Sequence, residues 1–79
     1  MFQFTYLMPL VLEFLAMQDA QAEQEQKVAL AAQWVSEMPT EQSRDYFADQ
    51  TLRLALISEM VRDARIELDL ARIEAWNAA

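Results

Sequence analysis

Not one glycine occurs in this chain of 79 residues, and proline appears only at Pro9 and Pro39. Tight hairpin turns, type I′ connections and phosphate-cradling loops all lean on the positive φ that glycine adopts without steric cost. With those signals missing, the chain reads as helices joined by short links. Pro9 suits the first turn of a helix, where its absent N–H would be unpaired anyway. Pro39 disfavours helical geometry at Met38 and so closes the helix before it. Thr40 is then placed to cap the last helix, with Glu41 in its first turn, where the helix dipole favours an acid.

Ahead of Pro9, the residues Phe2, Phe4 and Tyr6 alternate with Gln3 and Thr5, the period of a half-buried strand. No second strand is available to pair with it, so residues 1–8 are expected as an extended arm laid over the helices. From Leu10 onward, Leu10, Phe14 and Met17 fall on one stripe, while Val11, Leu12 and Leu15 cover most of the remaining circumference. The stretch DAQAEQEQK, residues 19–27, is polar, and the apolar stripe lapses at Gln21 and Gln24. Nothing there forces a break, and one helix over 9–37 would span ~43 Å at ~1.5 Å per residue. Asp19 offers a new cap, however, and the reading adopted is a break near 18–22. Apolar spacing resumes at Val28, Ala32 and Val35 on one side and at Leu30, Trp34 and Met38 on another, with Trp34 expected in the core. One domain over 1–79 follows, with helices at about 9–18, 20–38 and 41–76.

The last helix offers apolar surface in two directions. Phe47, Leu54, Ile57, Val61, Ala64, Leu68, Ala71 and Ala75 alternate spacings of three and four, interrupted only at Gln50, which is a nearly continuous coiled-coil seam. Leu52, Leu56, Ile66, Leu70 and Ile73 fall on roughly the opposite side. Burying one such side chain contributes ~1.5–3 kcal/mol, so the second stripe calls for a second neighbour. Leu54, Ile57, Val61, Ala64, Leu68, Leu52, Leu56, Ile66, Leu70 and Ile73, together with Trp76 beside the Arg72 flank, are the candidate dimer or partner interface. Glu59, Asp63, Glu67 and Glu74 form an acidic strip between the faces; Arg62, Arg65, Arg72 and Asp69 line the other flank. Local pairs such as Arg65 with Asp69 account for part of this segregation; Glu67 and Arg72 are also placed to pair between chains across a parallel seam, and these charges leave an antiparallel pairing open as well.

A chain this small usually needs a disulfide, a metal or another subunit to be stable. It has no cysteine and no histidine, which removes disulfides, the usual zinc sites and histidine-containing di-iron motifs and leaves oligomerisation. Thirteen acids against six bases give a net charge of −7, a balance that opposes direct nucleic-acid binding. The apolar segment 1–17 contains Glu13, has no preceding Lys or Arg, and falls short of the ~20 residues of a spanning helix, which opposes membrane insertion. A cytoplasmic location is expected by default. Ser36, Ser43 and Ser58 have no histidine to activate them, and carboxylate pairs such as Glu59 with Asp63 lack a glycine-turned calcium loop. No catalytic residue, cofactor or metal site is expected.

These features together predict an all-α fold, a small helical bundle or long hairpin of two to three helices, forming a homodimer. The function they point toward is non-enzymatic: a protein-binding regulator, meaning an adaptor, inhibitor or assembly chaperone, with an apolar helical surface rimmed by acid. Two alternatives share the same sequence features. One is an acidic mimic of nucleic acid that blocks a nucleic-acid-binding protein; the other is a structural subunit of a larger helical assembly.

Overall fold

A computed structural model describes residues 2–78, with side chains from Leu7 to Ala78. Among the described residues there are two helices, α1 (Phe2–Glu37) and α2 (Glu41–Ala78), packed against each other as a hairpin. Contacts between Gln21 and Ser58, Gln24 and Gln50, and Trp34 and Tyr46 run in opposite directions along the chain, so the helices are antiparallel. The hairpin is a rod of 58 × 14 × 12 Å with a radius of gyration of 17.8 Å, where a globular chain of this length would have about 12 Å. A rod of two helices has one seam and no enclosed centre.

The structure corrects two expectations about α1. The extended arm over 1–8 is replaced by helix from Phe2, and the break near 18–22 is absent, so the three expected helices are two. An isolated strand leaves its backbone groups unpaired, whereas a helix pairs them internally. Pro9 within α1 removes only the bond to the carbonyl of Thr5. Between Met17 and Val28 the chain is mostly Ala, Gln, Glu and Lys, all strong helix formers. The lapse in the apolar stripe there is absorbed by pairing across the seam.

The bend is built without glycine and without a positive φ among the described residues. Thr40 and Ser43 cap α2 reciprocally: the Ser43 N–H donates to Thr40 Oγ1 at 3.1 Å and the Thr40 N–H donates to Ser43 Oγ at 3.0 Å. This is a capping box with serine in the place usually held by Glu or Gln. The Ser43 hydroxyl also donates to the Met38 carbonyl at 2.7 Å, tying the end of α1 to the start of α2. Ser43 is 0 % exposed, so these bonds are made out of reach of solvent.

Each helix contributes one heptad stripe to the seam. On α1 it is Leu7, Leu10, Phe14, Met17, Gln21, Gln24, Val28, Ala31 and Val35; on α2 it is Ser43, Phe47, Gln50, Leu54, Ile57, Val61, Ala64, Leu68, Ala71 and Ala75. All are buried or half-buried, and spacings alternate between three and four in both helices. The one gap in the α2 stripe, Gln50, is filled from α1 by Gln24, and Gln21 donates to Ser58 Oγ at 3.1 Å close by.

Candidate functional site

Of the interface residues drawn from the sequence, Leu54, Ile57, Val61, Ala64 and Leu68 lie on the face of α2 that packs on α1; Leu68, at 7 % exposure, is among the most buried side chains. The second set lies elsewhere. Leu52, Leu56, Ile66, Leu70 and Ile73 are 51–60 % exposed, and Trp76 is 83 % exposed. Leu52, Ile66 and Ile73 share one heptad position with Glu59 and form the outer edge of α2, directly away from the seam. Leu56 and Leu70 are turned from that edge toward one flank of the hairpin.

Helix α1 adds to the exposed apolar surface with Met8, Leu12, Leu15 and Leu30, and Met38 is exposed at the bend. Thirteen large apolar side chains are exposed among the described residues, against one buried, Leu68; the other buried apolar residue is the small Ala31. One antiparallel neighbour covers only a narrow stripe of each helix, and these chains are apolar well beyond it.

Trp34 departs from its expected core position. It is half-buried beside the seam, where its ring meets Tyr46 edge to face at 5.6 Å and an interplanar angle of 65°. At the other end of the rod an open groove is lined by Pro9, Leu10, Leu70 and Ala71, with Glu67 and Glu74 at its rim. A second shallow depression, formed by Asp69, Arg72, Ile73 and Trp76, lies on α2 alone.

The acidic strip is exposed along its length. Glu59, Asp63, Glu67 and Glu74 make no ion pair among the described residues; the pairs present are Asp49 with Arg53 at 3.0 Å and Arg65 with Asp69 at 3.9 Å, both exposed and one helical turn apart. Such pairs contribute a few tenths of a kcal/mol. Ser43 is occupied in the cap, and Ser58 is half-buried and bonded to Gln21. Ser36 is exposed. No group of three or more carboxylates converges as a cation site among the described residues, and no described helix is long and apolar enough to cross a membrane.

Comparison with protein-family models, with curated proteins and with solved structures gave no match. The candidate site is therefore defined by its own surface: two apolar stripes left outside a single seam, bordered by exposed acids. Sequence reasoning found the α2 half of it through the 100° spacing. It missed Met60 and Tyr46, both exposed, because only the position of α1 tells which side of α2 is left open.

Proposed function

We propose that the chain is a non-enzymatic protein-binding regulator, an adaptor, inhibitor or assembly chaperone, that docks through the outer edge of α2 onto an apolar groove of a protein partner. The supporting observation is the exposure of Leu52, Ile66 and Ile73 at one heptad position on a hairpin whose own seam is already filled. A helix that presents such anchors along one edge, interrupted at Glu59, fits the helix-in-groove mode of recognition, in which a few apolar side chains carry most of the affinity. Glu59 within that edge and Asp63, Glu67 and Glu74 beside it favour a groove with a basic rim and repel acidic competitors.

A photo-reactive residue placed at Ile73 tests this reading in cells. It is expected to crosslink to a defined protein, while the same residue at Gln33, on the polar back of α1, gives none. Equal, diffuse labelling from both positions would overturn the proposal.

The unpaired state of the four acids favours one further reading, mimicry of nucleic-acid phosphates. Apolar Ile66, Leu70 and Ile73 interrupt that strip, which weakens its likeness to a phosphate path. Partner binding that collapses between low and moderate salt would belong to mimicry; apolar docking persists.

A further inference from the structure

One flank of the hairpin carries an ordered series of side chains. Trp34 and Tyr46, which touch near the bend, occupy the heptad position that in an antiparallel pair faces its counterpart on the other helix. Stepping one, two and three heptads toward the open end places Lys27 opposite Arg53, Ala20 opposite Met60, and Glu13 opposite Glu67. All six are exposed. From bend to open end the flank thus runs aromatic, basic, apolar, acidic, and ends in the groove around Pro9 and Leu70.

Within one hairpin this order sets like charge opposite like charge twice, at positions where opposite charges commonly stitch two helices together. The isolated hairpin gains nothing from it. A second copy does.

We propose that this flank is the contact between two copies of the chain, stacked face to face and antiparallel as a four-helix bundle. A two-fold axis at the level of Ala20 and Met60 brings the Lys27–Arg53 pair of each copy onto the Glu13–Glu67 pair of the other. Ala20 and Met60 meet their own symmetry mates, and the Trp34–Tyr46 step sits over the partner's groove at the level of Glu74, beside Leu70. A two-fold contact requires one patch to complement itself, and this series does so about its centre. Parallel stacking would put base on base and acid on acid, so charge selects the antiparallel arrangement. Arg53 is already held along the flank by Asp49 at 3.0 Å; Glu23, Asp49 and Asp63 lie further out, at the rim.

Surface area agrees with this occupant. The chain exposes 6301 Å² at a mass of 9.2 kDa, where a folded monomer of that mass exposes about 4,900 Å². The surplus is about 1,400 Å² per chain, or about 2,800 Å² for a pair, within the range of stable homodimer interfaces. The outer edge of α2 at Leu52, Ile66 and Ile73 lies off the flank, so its apolar anchors stay open in the pair; Glu67 is shared by the two surfaces.

The test uses Lys27→Glu with Arg53→Glu, and Glu13→Lys with Glu67→Lys, each purified alone and then mixed in equal amounts. Mass is read by light scattering after gel filtration at micromolar concentration. The wild type is expected at twice 9.2 kDa, each double variant alone at the single-chain mass, and the mixture again at twice that mass, because an all-acidic flank then meets an all-basic one. Helix content by circular dichroism separates lost folding from lost association; if a reversal unfolds, Lys27→Gln with Arg53→Gln replaces it and is expected to weaken the dimer at least tenfold. A monomeric wild type, or variants that dimerise as well as the wild type, would overturn the proposal. Crosslinking from Ile73 by the Lys27→Glu, Arg53→Glu variant, which leaves Glu59, Asp63, Glu67 and Glu74 in place, would show that partner docking stands without it.

Discussion

Gln24 and Gln50 meet across the seam, the Gln24 side-chain amide donating to Gln50 Oε1 at 2.8 Å and to the Gln50 backbone carbonyl at 3.0 Å. Both residues are buried. In a rod whose two stripes repeat every seven residues, apolar contacts alone would tolerate a slip by one heptad. This pair does not, because a slip would leave each amide against an apolar neighbour, at a cost of about 1–3 kcal/mol per unsatisfied group.

Gln50→Ala is therefore expected to lower stability by about 1–3 kcal/mol, seen as a drop in urea midpoint. Replacing both glutamines by leucine should reverse the loss and raise the midpoint above wild type, since well-packed apolar residues commonly outdo a buried polar pair. The same double variant should lose uniqueness, showing more than one set of amide resonances for residues near the seam. A single set would mean that register is fixed elsewhere.

The cap at the bend gives a second expectation. Ser43→Ala removes the hydroxyl that bonds Thr40 and Met38 and should cost about 1–2 kcal/mol. Ser43→Glu, a favoured residue at this position in open capping boxes, should be worse than alanine here, because the site is fully buried and has no room for a charged chain. Thermal unfolding of the two variants side by side decides it; a stabilised glutamate variant would contradict the packing of the bend.

Seam and edge should respond differently to truncation. Leu68→Ala is expected to cost about 2–4 kcal/mol, since the side chain is buried between the helices. Leu52→Ala, on the outer edge, should fall within about 0.5 kcal/mol in the purified chain. Equal losses at both positions would mean that the edge is already covered by self-association.

Salt should act weakly on the dimer. In the proposed dimer, ion pairs between Lys27, Arg53, Glu13 and Glu67 would be screened as ionic strength rises, while burial of Met60, Trp34 and Leu70 would not. The dissociation constant, followed by sedimentation, is expected to rise less than about tenfold between low and physiological salt. Dissociation to monomers over that range would assign the contact to charge alone.

Much of this fold was legible in the sequence, and the misses have physical causes. The absence of glycine, the stop at Pro39 and the cap at Thr40 located the bend correctly. The α2 stripe from Phe47 to Ala75 was readable because its apolar residues are bounded by charge. The α1 stripe was hidden twice: Val11, Leu12 and Leu15 crowd it at one end, and Gln21 and Gln24 interrupt it in the middle. Those glutamines looked like a lapse because their partners, Ser58 and Gln50, lie 37 and 26 residues away. Alternation at Phe2, Phe4 and Tyr6 suggested a strand, but five residues with no pairing edge are held more readily as an extension of the helix. The second stripe of α2 was found from spacing alone. The charge order of the flank was not, since it exists only once Trp34 and Tyr46 set which levels of the two helices lie side by side.

Because the chain contains no cysteine, Gln42→Cys places a single spin label at the bend of each copy, on an exposed side chain. The distance between labels in the purified protein, measured by pulsed electron resonance, is the most direct test of how the exposed surface is covered. Antiparallel stacking of two rods puts the bends at opposite ends and predicts a separation of roughly 50 Å, close to the length of α1. A short separation would mean parallel copies, and no intermolecular distance at all would mean a lone hairpin; either result would contradict the assembly derived from the flank.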